Sequence, residues 1–278
     1  MPKFLDRLNN ACAAPQSLVC VGLDPDPALM PVPDVFQFNQ AIVDATAGLV
    51  CAYKPNLAFY EALGIPGLKA LARTVDYIHQ RVPTALVIGD AKRGDIGPSG
   101  AAYARAMYQV WNFDAVTVNA WGGYDTLEPF LKDEERGVFI WCRGSNPGSA
   151  DLQDLPVGDP QHQYPLYQRL ARSAQEWDCR RNVGLVVGAT APQQLAETRR
   201  TCPDLPFLIP GVGAQGGDLE AAVASGVNRE GRLAIINSSR GIIYASRGTD
   251  FPQVARREAS RLRHAINQVL ESRGKPWP

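Results

Sequence analysis

Nowhere in the chain do about 18 charge-poor apolar residues run together, so no segment reads as a bilayer span. An excess of either charge is lacking too. Lys and Arg number 28 and Asp and Glu number 28, which gives no reason to expect a nucleic acid or an anionic membrane as partner. The basic stretch "RREASRLR" (256–263) is interrupted by Glu258 and reads as a solvated helix face. Paired cysteine motifs are missing. Cys12, Cys20, Cys51, Cys142, Cys179 and Cys202 contain no CxxC spacing, which leaves zinc sites and dithiol redox chemistry without their usual ligands. Cys20, Cys51 and Cys142 lie inside apolar runs as small core residues, and such unpaired thiols fit a reducing, cytoplasmic compartment. Histidine is scarce, and neither His79, His162 nor His264 falls at the end of an apolar run, so histidine acid–base catalysis is not expected. No HExxH or Cys/His cluster points to a metal. Asp24 and Asp26 could hold magnesium beside a phosphate, but lysines near Asp90 make that redundant, so neither metal nor cofactor is expected.

What the chain does have is repetition. Short runs rich in Val, Ile and Leu occur at 17–24, 51–57, 84–92, 115–120, 138–143, 183–190, 207–213 and 233–240. They are continuous rather than alternating, as strands covered on both faces are. Helical text separates most of them, and a last helix over 253–270 precedes a polar tail, 271–278. Eight such units in 278 residues predict a single (β/α)8 TIM barrel, an α/β fold. The opening "MPKFLDRLNNACAAPQSLVC" reads as an added amphipathic helix rather than a signal peptide. The competing doubly wound sheet is disfavoured because "VGLDPDP" follows the first run where a dinucleotide fold would place glycines. No linker divides the chain. The longest interval, 144–163, is a Gly-, Pro- and Asp-rich loop of the kind that often serves binding.

Polar residues gather at the ends of these runs: Asp24, Lys54, Asp90 with Lys92, Asn119, Arg143, Thr190 and Arg240. A barrel carries its active site on that face. The densest stretch, "VIGDAKRGDIGPS" (87–99), could be a salt-bridge knot, a phosphate grip or a proton-transfer array. Regular strand geometry puts Asp90 and Lys92 on one face, about 6.6 Å apart along the chain. Lys54 and Asp24 reach the same mouth from neighbouring strands, with Asp95 a further member from the loop. Alternating signs offset part of the cost of burying such charges. Opposite them, "PGVGAQGGD" (210–218) and "NSSRG" (237–241) follow the seventh and eighth strands, where barrels of this type commonly bind phosphate. Gly211, Gly213, Gly216 and Gly217 offer backbone N–H groups there, and Arg240 offers a charged fork. A Schiff-base aldolase on Lys54 or Lys92 remains a second reading. Acid partners disfavour it, because they keep a lysine protonated when an imine needs it neutral.

"DAKRGDIG", preceded by "YKPNLAFYE" and followed by "SNPGS", "PGVGAQGGD" and "NSSRGIIYA", resembles the orotidine 5'-phosphate decarboxylase family, in its longer bacterial branch. The resemblance spans roughly residues 17 to 250 and rests on the identity, order and spacing of these blocks. It implies a homodimer with shared active sites that converts orotidine 5'-monophosphate to UMP and CO2 without metal or cofactor. Under it, Lys54, Asp90, Lys92 and Asp95 form the charged centre, Asp95 reaching the partner's site, and Lys92 protonates C6. Asp24 and Lys54 hold ribose hydroxyls, Ser145 holds the pyrimidine, and Gln215, Ser239 and Arg240 engage phosphate. Ile96 and Ser99 edge the partner's site, with serine where the family often has threonine. Asn119 and Asn146 support the site from behind.

Overall fold

The computed structural model describes residues 2–212 and 217–278. Its centre is a closed barrel of eight parallel strands: β1 (Val19–Leu23), β2 (Ala52–Pro55), β3 (Leu86–Arg93), β4 (Ala115–Val118), β5 (Gly137–Arg143), β8 (Val183–Val187), β9 (Phe207–Pro210) and β10 (Ala234–Ser238). Neighbours in the ring follow chain order, and β10 closes on β1 with Val19 opposite Ile236. Every residue of β1, β2, β4 and β8 is buried, because barrel packing covers one face and the helix layer the other. Strands β6 (Pro156–Val157) and β7 (Tyr164–Pro165) form a small antiparallel hairpin outside the barrel.

Helix α1 (Phe4–Ala13) precedes the barrel, and α2 (Val35–Thr46), α3 (Leu57–Ala62), α4 (Gly64–Arg81), α5 (Gly97–Arg105) and α6 (Tyr124–Leu131) follow the first four strands. Then come the single turn α7 (Ala150–Gln153), α8 (Leu166–Trp177), α9 (Pro192–Thr201), α10 (Leu219–Gly226), the short α11 (Arg240–Ile243) and the closing α12 (Phe251–Ser272). Side chains set several starts: the carboxylates of Asp34 and Asp218 accept from the N–H of Gln37 and Ala221 and cap α2 and α10. Helix α6 is short, eight residues long with Pro129 inside it. The interval 144–163 is more ordered than its composition suggests, holding a 3-10 turn (Pro147–Ser149), α7 and the hairpin. The polar tail is pinned rather than free. Arg232 stacks 3.8 Å from the Trp277 ring centroid and donates to the Pro276 carbonyl, while the Trp277 indole donates to Asn267.

The amphipathic N-terminal helix closes the base of the barrel. Phe4 is fully buried edge-on against Phe139, and a Cβ at Gly137 would fall 2.2 Å from the Phe4 ring. Charge also gathers here, which the strand-end pattern did not anticipate. Asp114, 3% exposed, accepts from Arg7 of α1, from His79 Nε2 at the end of α4 (3.1 Å) and from the Val87 amide of β3 (2.8 Å). Burial opposes its ionisation, but the bonds and charges of His79 and Arg7 overcome this and hold the carboxyl below its ordinary value. A group lowered on folding stabilises the native state above its unfolded pKa and loses that contribution as acid titrates the folded form. Asp114→Ala is therefore expected to lower stability by about 3 kcal/mol at neutral pH, because it strips one side of a buried network. Urea melts should show the gap to wild type narrowing as the pH falls below about 3.9, the ordinary carboxylate value; a constant gap would contradict this account.

Candidate active site

The C-terminal ends of the strands enclose a cavity lined by Asp24, Lys54, Asn56, Asp90, Lys92, Thr117 and Trp141 on one side. Arg143, Gly144, Ser145, Asn146 and residues of β8 and β9 continue the wall, and Gly211 with Asn237, Ser238, Ser239 and Arg240 completes it. At its floor Asp90 joins two lysines. Lys54 Nζ donates to Asp90 Oδ2 at 2.8 Å, and Lys92 Nζ donates to Oδ1 at 2.6 Å. Lys54 is 4% exposed and Lys92 40%, so one ammonium is sealed in while the other faces the cavity.

Strand alternation does not bring Asp90 and Lys92 together, contrary to the regular-strand expectation. Gly89 pairs with Val116 and Arg93 with Val118, so Asp90, Ala91 and Lys92 stand opposite Thr117 alone. In this bulge Lys92 has φ +47°, a left-handed conformation that costs about 1–3 kcal/mol for a side-chain-bearing residue. The turn swings the Lys92 ammonium back onto Asp90. Arg93, from the same motif, leaves the site and pairs with Glu61 on α3.

Burial by itself would lower the Lys54 pKa, but the carboxylates of Asp90 and Asp24 overcome it and leave the ammonium well above its ordinary value. At Asp90 burial pushes upward and is outweighed by Lys54 and Lys92, which hold the carboxyl well below the usual range. Among the described residues, one buried Asp24 oxygen has no hydrogen-bond partner, and neither does the Asn237 side-chain oxygen. Two acceptors therefore await a donor. Gly22 makes room for this wall, since a Cβ there would lie 1.9 Å from Ser239 Oγ.

The loop after β5 is anchored by Arg143, which donates to Ser149, to Gln153 Oε1 and to Asp154 (3.0 Å). Thr190 Oγ1 donates to the Ser145 carbonyl (2.8 Å), and Gly188 permits the close approach, as a Cβ there would sit 2.8 Å from Ser145 Cα. Ser239 immediately precedes α11, and Arg240 beside it is exposed with no ion pair among the described residues. Gln215, Gly213 and Gly216 lie outside the described residues.

Of the expected site residues, Asp24, Lys54, Asp90, Lys92, Ser145, Asn146, Ser239 and Arg240 line one cavity. Asp95, Ile96 and Ser99 do not: all three are exposed, and the Asp95 carboxylate accepts from the Ile96 amide. Asn119 also stays outside. Its strand ends at Val118, and its side chain accepts from the Trp121 amide instead of entering the mouth. Thr117, Trp141 and Asn237 were not foreseen. Thr117 sits two residues before Asn119, so continuing the strand period back from Asn119 could have indicated it.

Fold and mouth together define a (β/α)8-barrel enzyme with a lysine–aspartate centre. Residues 17–250 match the family described as Orotidine 5'-phosphate decarboxylase / HUMPS family. An orotidine 5'-phosphate decarboxylase of Dehalococcoides mccartyi is 50% identical over 266 residues, spanning 95% of this chain and 97% of that protein. One from Roseiflexus castenholzii is 49% identical over 276 residues, spanning 97% and 99%. The solved OMP decarboxylase of Leishmania donovani superimposes with a TM-score of 0.84 at 38% identity, covering 96% of this chain and 99% of that one. The chain belongs to the orotidine 5'-phosphate decarboxylase family.

Asp90 is held below, and Lys54 above, the range from about pH 5 to 9, so neither changes charge within it. Single-turnover rates at saturating substrate should show no ionisation in that range that Asp90→Asn or Lys54→Met removes. A midpoint there that vanishes in either variant would refute the assignment.

Proposed function

We propose that the chain removes CO2 from orotidine 5'-monophosphate to give UMP, with Lys92 as the group that stabilises and then protonates C6. The Lys54–Asp90–Lys92 array at the cavity floor carries this reading. Losing CO2 from a pyrimidine ring leaves an electron pair on C6. An ammonium fixed beside that carbon stabilises the developing charge without having to reorganise, and supplies the proton the product needs. Asp90 keeps Lys54 charged, pairs with the Lys92 ammonium and sets a like charge beside the departing carboxylate. The unpartnered Asp24 oxygen and the Lys54 ammonium suit ribose hydroxyls. Ser145, held by Thr190, suits a polar edge of the base. Ser239 and Arg240, with Gln215, take the phosphate, whose binding energy then serves the transition state at a distance.

The reading includes a homodimer. Asp95, Ile96 and Ser99 are exposed and do not line their own cavity, and Ile96, Tyr103, Trp121 and Tyr124 leave large apolar side chains exposed, Trp121 at 78%. A second copy covering this region would receive Asp95 at its own site. It also includes a cytoplasmic location, supported by free thiols at all six cysteines. Among the described residues no helix is long and apolar enough to cross a membrane.

Purified protein should release CO2 from orotidine 5'-monophosphate with loss of the orotate absorbance, and no turnover would defeat the proposal. Lys92→Ala should slow the single-turnover step by about 10³ or more while UMP still binds. Arg240→Ala should weaken both UMP and substrate by roughly tenfold to a hundredfold, the loss of one or two charge-assisted bonds. Mixing Lys92→Ala with Asp95→Ala should restore about a quarter of wild-type activity, since random pairing builds one lesion-free site in each mixed dimer. Failure of that rescue, with mixed dimers present, would place Asp95 outside the shared site.

A further inference from the structure

We propose that Thr117 is the positioning residue that sets the reactive geometry of Lys92, by holding the β3 bulge and the Asp90 carboxylate through one hydroxyl group. Thr117 is 1% exposed and stands alone on β4 opposite Asp90, Ala91 and Lys92. A ladder of that register leaves backbone N–H groups of the longer strand without carbonyl partners. Thr117 Oγ1 accepts both of them, from Ala91 N and from Lys92 N, each at 3.0 Å. A hydroxyl has two acceptor sites and one proton. With both acceptor sites filled, the proton has one place to go, and it lies on Asp90 Oδ1 at 2.9 Å.

One atom therefore ties together three things the chemistry needs. It satisfies the backbone where Lys92 takes its left-handed conformation. It fixes the carboxylate oxygen on which the Lys92 ammonium rests at 2.6 Å. It also orients that carboxylate so that its other oxygen meets Lys54 at 2.8 Å. Valine has the same shape and fills the same space, but it would leave two N–H groups and a carboxylate oxygen short of a partner. Serine keeps every bond and loses only a methyl group. The inference rests on the assignment of Lys92 as proton donor.

The test compares Thr117→Val, Thr117→Ser and Thr117→Cys with wild type, and runs Lys92→Ala alongside. Thr117→Val should lower the single-turnover rate at saturating substrate by about tenfold to a hundredfold, the usual consequence of a misplaced reactive group. UMP affinity should stay within about threefold, because the phosphate contacts are untouched and Lys54 itself is retained. Thr117→Ser should keep both quantities within about threefold of wild type, and Thr117→Cys, a weaker acceptor, should fall between. In ligand-free protein, amide exchange of a peptide covering 86–93 should be faster in Thr117→Val than in Thr117→Ser. A Val variant with an undiminished rate overturns the proposal, and so does a Ser variant as impaired as Val or exchange that is the same in both. If Thr117→Val does not fold, a Cys variant matching Ser in rate and exchange overturns it equally. Lys92→Ala at the wild-type rate would remove the catalytic half of the proposal, leaving amide exchange to judge Thr117's hold on the bulge.

Discussion

The site depends on one buried carboxylate. Asp90 receives three donors, Lys54 on one oxygen and Lys92 with Thr117 on the other, and each donor comes from a different part of the rim or bulge. Without that anion Lys54 would be a sealed ammonium with no neighbour to offset its desolvation except Asp24. Without the lysines, Asp90 would be a buried acid pushed toward its neutral form. Each charge makes the next one tolerable. Closure of the barrel supplies the proximity, since β2, β3 and β4 are neighbours and their ends converge on a single mouth.

The two ends of the barrel do different work with the same kind of interaction. At the base, Asp114 binds the N-terminal helix, the end of α4 and the start of β3 into one closure, far from the cavity. At the mouth, the charged groups are arranged to leave something over: the Lys92 ammonium half-open and, among the described residues, an Asp24 oxygen without a donor and Arg240 without an acid. Satisfied charges hold the fold, and incompletely satisfied ones are available to a ligand. The loop after β5 shows both conditions side by side, with Arg143 spent on Ser149, Gln153 and Asp154 so that Ser145 stands ready at the rim.

One strained residue lies at the floor of the cavity. Lys92 carries its left-handed backbone in a bulge that most of a barrel strand would avoid, and the neighbouring strand meets the cost with a threonine hydroxyl. The exposed Asp95–Ser99 segment follows directly, so one short stretch of chain serves its own cavity with its first residues and offers its last ones outward.

Much of this was legible in the sequence. Continuous Val-, Ile- and Leu-rich runs identify strands buried on both faces, and their number and spacing identify the barrel, because hydrophobic periodicity is a local property of the chain. Charged residues at the ends of those runs identified Asp24, Lys54, Asp90, Lys92 and Arg240 as parts of the cavity wall, and the family resemblance added Ser145. The order and identity of the motif blocks pointed to the family. The tertiary structure alone decided how those groups meet. It showed that Lys92 reaches Asp90 through a bulge rather than by strand alternation, that Asn119 falls past its strand while Thr117 takes the central place, and that Asp114 gathers charge at the other end. The reason is physical. Burial pattern and composition are written along the chain, whereas register between strands, and the partner each orphaned N–H finds, depend on residues that only folding brings side by side.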